Sequence, residues 1–337
     1  MRIGILTSGG DCPGINATIR GVCKTAISHY GMEVYGIRSG FRGLLDNDII
    51  PLDENSLTGL LSMGGTILGT SREKPFKNRA NVPVSEDKPA MMLKTIRERK
   101  LDCVVCIGGN GTQKTAAKLA ATGVNVVTVP KTIDNDVWGT DISFGFDSAV
   151  SIATEAIDRL HSTASAHQRV MVIEVMGHKA GWIALYSGMA GGGDIILLPE
   201  IPFDIHRIGD TIINRLKKGK PYSIVVVAEG IPTLGGKKAA QYIAEEIEYE
   251  TGFETRETVL GYIQRGGGPT AFDRNLATSM GGHATELIAS GQFGRMVSLR
   301  GSEITSVPLG EVAGKLKLVT EEHDLVIQGR RMGICFG

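Results

Sequence analysis

The chain has 337 residues, 42% hydrophobic and 21% charged, which excludes a disordered chain and suffices for about two domains. Its 36 Lys and Arg balance 36 Asp and Glu, so nucleic acid is not expected as the main partner, and any anion must be met by local cations. Glycine is in excess, at 45 residues without a collagen-like period, against the ~7% of an average protein.

Taken in chain order, β-branched runs at 2–7, 33–38, 102–107, 125–129, 169–175, 194–198 and 223–228 read as strands. Helical patterns lie at 15–29, 88–99, 112–121, 205–218, 238–250 and 272–289. Ala149, Val150, Ile152, Ala153, Ala156, Ile157 and Leu160 add an apolar stripe at helical spacing. Alternation of apolar strands with helices predicts an α/β protein with parallel sheets covered by helices. No run approaches the ~18 apolar residues of a membrane span, and no signal peptide is read at the N-terminus. A cytoplasmic protein with no membrane partner is therefore expected. Cys12, Cys23, Cys103, Cys106 and Cys335 form an odd, sparse set of reduced thiols. Cys103 and Cys106 make a C-x-x-C, but within a strand-like run and with no second pair, so they read as core.

In open parallel sheets ligands bind at the carboxyl ends of strands. Five such ends carry glycines, hydroxyls or carboxylates, and all are expected along one edge: Ser8–Gly14, Gly108–Thr112, Pro130–Asp136, Met176–His178 and Glu229–Gly230. The first two have the chemistry of phosphate cradles, with backbone N–H groups and a following helix N-terminus. Neither is a Walker A loop or a dinucleotide fingerprint. In the third, Thr132, Asp134 and Asp136 alternate and would face one way in extended backbone. A carboxylate there can accept a proton from an attacking hydroxyl or hold Mg²⁺; Asx-turn chemistry is the plainer alternative. Arg72, Arg169, Arg256 and Arg265 are the candidate cations, and Arg265, beside Gly266–Gly268, is the strongest phosphate clamp among them.

Thr7-Ser-Gly-Gly-Asp11-Cys-Pro-Gly-Ile-Asn16, Gly108-Gly-Asn-Gly-Thr112, Pro130-Lys-Thr-Ile-Asp-Asn-Asp136, Ser165-Ala-His-Gln-Arg169, Glu174-Val-Met-Gly177 and Leu260-Gly-Tyr-Ile-Gln-Arg-Gly-Gly267 resemble, in the same order, the 6-phosphofructokinase family. The likeness covers residues 2 to about 295. It implies two lobes, each a mainly parallel sheet covered by helices: 1–144 plus 264–313 for the phosphoryl donor, 145–263 plus 314–337 for the sugar phosphate. It further implies Mg²⁺-dependent transfer to the 1-hydroxyl of fructose 6-phosphate. By motif position Asp134 would be the general base, with Thr132 beside it. Gly10 would offer its N–H, and Arg72 its charge, to the transferring group. Ile133, Asp136, Met176, Gly177, His178, Glu229, Tyr262 and Arg265 would meet the sugar phosphate. Gly109, Asn110, Gly111, Thr112 and Lys131 would join Gly10 and Arg72 around the donor, and Asn110 and Asp136 would support the metal. Arg169 and Arg256 would serve a neighbouring subunit, implying a homo-oligomer, a dimer or a tetramer.

The chain departs from the family pattern at two places and keeps one of the usual residues at a third. Asn110 replaces the usual Asp of the second glycine loop, His178 replaces an Arg, and Tyr262 stands where His or Tyr is found. Gly111 matches ATP users, whereas Lys131 matches pyrophosphate users; ATP is the expected donor and pyrophosphate the alternative. A non-catalytic sugar-phosphate sensor and an NAD-kinase-like enzyme are the other classes weighed. The effector residues of bacterial family members are only partly present. Arg20, Lys24, Lys218, Lys220 and Asp194 match, but His161 and Glu54-Asn55 replace arginines, so simple effector control is not expected.

Overall fold

The computed structural model describes residues 1–77 and 87–337. The chain opens with β1 (Arg2–Ser8), α1 (Ile15–Lys24, prolonged by a π turn, Thr25–His29), β2 (Glu33–Ile37), α2 (Phe41–Asp46) and β3 (Ile49–Leu52). Next come α3 (Lys88–Glu98), β4 (Cys103–Gly108), α4 (Asn110–Ala120) and β5 (Val126–Pro130). The middle holds α5 (Phe146–His167), β6 (Val170–Val175), α6 (Trp182–Ala190), β7 (Ile195–Leu197), α7 (Ile205–Lys217), β8 (Ser223–Ala228), α8 (Ala239–Thr251) and β9 (Thr255–Val259). Last are α9 (Ala271–Ala289), β10 (Arg295–Arg300), β11 (Glu303–Pro308), α10 (Leu309–Val312) and α11 (Asp324–Arg331).

The chain divides into two units. The first is Met1–Thr132, Asp136–Gly145 and Arg265–Leu316; the second is Ile133–Asn135, Phe146–Gln264 and Lys317–Gly337. Ile133–Asn135 thus groups with the second unit, although the expected boundary kept all of 1–144 together.

The first unit is built on a seven-stranded sheet of order β11-β10-β5-β4-β1-β2-β3. Its centre is parallel, while the edge pairs β2–β3 and β10–β11 are antiparallel. Every residue of β4 and β5 is buried. That is why these strands read as unbroken apolar runs rather than alternating ones. From β1 the chain builds β2 on one side and later β4 on the other. Strand order therefore reverses between β1 and β4, the point at which open α/β sheets bind ligands. The helix after β1 is set by glycine contacts: a Cβ on Gly21 of α1 would stand 2.5 Å from the Thr278 carbonyl of α9, and one on Gly281 2.5 Å from that of Thr18.

The second unit holds a four-stranded, all-parallel sheet of order β7-β8-β6-β9. Strand β6 lies between β8 and β9, so the reversal falls beside β6. All the expected strands and helices form. Those not anticipated are short, polar or evenly apolar. Strand β3 contains Pro51, which an edge strand tolerates. β10 and β11 meet through a two-residue turn, Gly301-Ser302. Helix α6 has six of its nine residues buried, so it carries no amphipathic stripe to be read.

All five cysteines are buried, and none is in a disulfide. Burial pushes Cys23 and Cys103 up to about 12, and it drives Cys106 up as well. Since the thiolate is the nucleophile, native protein in iodoacetamide at neutral pH is expected to keep its activity and take up essentially no label. Unfolded protein should expose all five thiols. Mass spectrometry of the intact chain reads both outcomes.

Candidate active site

In the first unit, β1 ends in a loop that turns at Gly9, φ +90°. This is the left-handed region where glycine costs least. A separate segment is bonded onto this loop. Gly9 donates its N–H to the Ser71 carbonyl (3.0 Å), and Thr70 Oγ1 donates to the Gly9 carbonyl (2.7 Å). Thr7 Oγ1 reaches the Gly69 carbonyl at 2.6 Å, and Ser71 Oγ the Ser39 carbonyl at 2.6 Å. Asn16, on α1, donates to the carbonyls of Met63 and Gly64 and accepts from Ile67 N–H. These bonds carry the chain from 63 to 71 against the first glycine loop, and the next residue is Arg72, which is exposed.

Two further cations converge on the same loop. The Arg265 guanidinium lies so close to Gly10 that a Cβ there would stand 2.7 Å from Nη1. Lys131, 3% exposed, donates from Nζ to the Gly10 carbonyl. The lysine therefore acts from beneath the loop, as a buried cation bonded to its backbone.

Across the β1/β4 reversal, α4 starts at Asn110 with Gly109 as its cap and no side-chain cap bond. The Asn110 and Gly111 N–H groups are thus available to an anion, while that of Thr112 donates to the Gly109 carbonyl at 2.9 Å. Thr112 Oγ1 donates to the Ser8 carbonyl at 3.3 Å, tying the second loop to the first. Beyond its chain neighbours and its own helix backbone, no described atom comes within 4 Å of a Cβ built on Gly111. Asn110 Nδ2 donates to the Asp136 carbonyl at 3.3 Å, while its Oδ1 is a buried acceptor with no hydrogen-bond partner among the described residues. Such an acceptor fits a water held by Mg²⁺, so these residues accommodate the expected ion. Among the described residues no group of three or more His, Cys, Asp or Glu could hold a metal. The ion would accordingly keep most of its waters and lean on substrate phosphates, the usual habit of Mg²⁺.

The loop after β5 corrects one expectation. Residues 132–136 are not extended: Ile133–Asp134 form a turn and Asn135 is left-handed at φ +51°. Thr132, Asp134 and Asp136 therefore do not alternate along a strand. Within 131–137 every residue except Asp134 is buried. Asp134 is thus the residue of its loop that is not buried, although its Oδ1 is itself covered, and Thr132, Ile133 and Asp136 pack inward.

The second unit gathers another set. Strands β6 and β9 flank the reversal of its sheet, and their loops are joined by Gln264, whose Oε1 accepts the Met176 N–H at 2.8 Å. Gly177 and His178 both donate their N–H groups to Glu229 Oε1, at 3.2 and 2.8 Å. One oxygen of Glu229 is thereby committed to holding the 176–178 turn, where His178 itself sits at φ +55°. Tyr262 is 75% exposed. Arg169 and Arg256 are drawn together by one carboxylate: Arg169 Nε donates to Glu254 Oε2 at 2.6 Å, and Arg256 Nη2 to Oε1. The Arg169 bond and the nearby positive charge hold the Glu254 carboxyl below its usual range.

The five expected strand ends therefore fall on two sheets rather than along one edge. The loops after β1, β4 and β5 belong to the first sheet; those after β6 and β8 belong to the second. Arg265 stands with the first unit. Gln264 had no assigned role, although full burial of an amide beside a glycine-rich turn marks it.

Of the effector positions, Lys24, Glu54, Asp194 and His161 are engaged within the protein. Glu54 pairs with Lys24 at 3.9 Å and accepts from Ser28 Oγ at 3.0 Å. Asp194 meets Arg215 at 2.7 Å and the Ile224 N–H at 3.0 Å, and burial raises its carboxyl. His161 bridges Tyr222 Oη and the Gly191 carbonyl.

Comparison with known proteins bears on these loops directly. The family model described as phosphofructokinase matches residues 2–288. The chain is 80% identical to the ATP-dependent 6-phosphofructokinase 3 of Bacteroides thetaiotaomicron over 337 residues, all of both chains. Among solved structures it is similar to Pichia pastoris phosphofructokinase in the T-state (TM-score 0.85, 32% identity), covering 93% of this chain but 35% of that longer one. It is likewise similar to the pyrophosphate-dependent enzyme of Marinobacter aquaeolei (TM-score 0.84, 25% identity), covering 100% of this chain and 88% of the other. Matched across its glycine loops, its Asp134 turn and the Gln264 segment, the chain belongs to the phosphofructokinase family.

Proposed function

We propose that the chain transfers the γ-phosphoryl group of ATP to the 1-hydroxyl of fructose 6-phosphate, giving fructose 1,6-bisphosphate in glycolysis. The single observation that carries the choice of donor is the open space over Gly111 at the uncapped start of α4. A nucleotide's α-phosphate needs such room. The pyrophosphate reading has Lys131 in its favour, but that ammonium is bonded to the Gly10 carbonyl beneath the loop. Its charge supports the loop and is compatible with either donor.

In this reading the donor phosphates lie along Gly10, Gly109, Gly111 and Thr112, with Lys131 and Arg72 supplying positive charge. Asp134 accepts the proton of the 1-hydroxyl as its oxygen attacks phosphorus, with Thr132 and Ile133 setting the start of the turn. Arg72 and the Gly10 N–H meet the charge of the transferring group. Met176, Gly177, His178, Glu229, Tyr262 and Arg265 hold the sugar phosphate. Asn110 and Asp136 would support Mg²⁺, which would supply neutralisation of phosphate charge.

Arg169 and Arg256, already paired through Glu254, serve the sugar phosphate of a neighbouring copy in a dimer or tetramer. A cytoplasmic setting belongs to the same reading; no helix among the described residues is long and apolar enough to cross a membrane.

Replacing Arg72 by alanine tests this account. Loss of one preorganised charge on the transferring group should lower kcat about 10²–10³-fold. The KM for fructose 6-phosphate should change far less, because Arg72 is assigned to the donor side. An unchanged kcat would remove Arg72 from the reaction.

A further inference from the structure

Outside the family motifs, the C-terminal segment touches the turn that carries Asp134. Asn135, only 2% exposed, holds a left-handed backbone, a region that asparagine enters more readily than most residues with a side chain but less readily than glycine. Its Oδ1 accepts a hydrogen bond from Lys317 Nζ at 2.9 Å. Lys317 is itself held on several sides. Its carbonyl accepts the Trp182 indole N–H at 2.9 Å, and its ammonium lies 5.3 Å from the centre of the Trp182 ring. Two residues on, Val319 N–H donates to Glu200 Oε1 at 3.0 Å, and the same carboxylate accepts the Gly181 N–H ahead of α6. One residue before, Leu316 makes an antiparallel bridge with Val137. A flexible side chain is thus delivered to one place, and the group it meets there is the neighbour of Asp134.

We propose that Lys317 is a positioning residue for phosphoryl transfer. Set by Trp182 and Glu200, its ammonium keeps Asn135 left-handed and so fixes the turn from which Asp134 projects. A hydrogen bond with a charged donor is among the stronger ones, and a reacting group displaced by about 1 Å can lose about 10² in rate. The inference rests on Asp134 being the proton acceptor, but it makes claims of its own about residues 135 and 317.

The test is a double-mutant cycle on the full-length protein. Lys317→Met keeps an unbranched side chain of similar length and removes the charge. It is expected to lower kcat about 10–100-fold, with KM for both substrates changed less than about threefold. Lys317→Arg should recover part of the loss. In an Asn135→Gly background, residue 135 adopts positive φ without help, and Lys317→Met should then cost nothing further. Hydrogen exchange gives a readout independent of turnover: the peptide spanning 131–137 should exchange faster in Lys317→Met than in the parent. An equal loss of kcat in both backgrounds, or an unchanged kcat with unchanged exchange, would overturn the proposal. Should Lys317→Met fail to fold, Lys317→Gln is read in the same way. Turnover retained by Asp134→Ala, together with the predicted coupling and exchange, would instead locate the error in the choice of base.

Discussion

Replacing Asp134 by alanine is expected to lower kcat about 10²–10⁴-fold, the usual worth of a positioned general base, while fructose 6-phosphate still binds. Of residues 131–137 only Asp134 is not buried, and the left-handed Asn135 beside it fixes the direction of the chain. Its neighbours Thr132, Ile133 and Asp136 are buried, so they shape the turn without competing for the substrate's proton. Steady-state kinetics and calorimetric titration with fructose 6-phosphate separate the two effects. Full turnover in Asp134→Ala would show that another group takes the proton. Lost sugar binding with the fold intact would make Asp134 a substrate ligand instead.

The second large effect is expected at Gly111. Its Cβ position is open, so Gly111→Asp should fold normally, with its carboxylate standing in the space assigned to the nucleotide's α-phosphate. Two unit charges about 4 Å apart repel by roughly 4 kcal/mol at the effective dielectric near a protein surface. At about 1.4 kcal/mol per tenfold, kcat/KM for ATP should fall on the order of 10³-fold. Pyrophosphate has no α-phosphate to displace, so the same variant should gain in pyrophosphate use relative to ATP. A variant that handles ATP as the parent does would mean that the nucleotide does not pass over Gly111.

Much of this site is legible from the residues in order. Ser8–Gly14 and Gly108–Thr112 announce anion loops because backbone approach and uncapped helix starts need glycine, and the β1/β4 reversal puts them side by side. What the sequence conceals is tertiary. The division of five strand ends between two sheets depends on which strands pair, and a strand's residues do not name its neighbours. Thr132, Asp134 and Asp136 read either as an alternating strand or as Asx-turn chemistry, and only the fold decides that Asn135 turns left-handed. Glu229 is visible as a carboxylate at a strand end, yet its commitment to two backbone N–H groups appears only once β6 and β8 are adjacent. Lys317 carries no motif at all; its place follows from Trp182 and Glu200, more than a hundred residues away in the chain. Strands β3, β9, β10 and β11 are the edge or partly polar strands, where burial on both faces no longer writes an apolar run.

Asn110 and His178 are the two departures at positions proposed to meet the metal and the sugar phosphate. Asn110 keeps a buried acceptor in Oδ1 without the negative charge of an aspartate. His178 contributes its backbone N–H to Glu229, a role that any residue tolerating its backbone angle fills. The fold of the 176–178 turn therefore does not depend on the arginine usual there.

The most direct test of the account is formation of fructose 1,6-bisphosphate by the unmodified protein, from fructose 6-phosphate and Mg²⁺, with ATP and pyrophosphate supplied in parallel. Turnover with ATP and none with pyrophosphate is the predicted result, with Gly111 setting the donor and Lys131 supporting the loop. Turnover with pyrophosphate alone would contradict it, and silence with both would make the chain a sugar-phosphate binder rather than an enzyme.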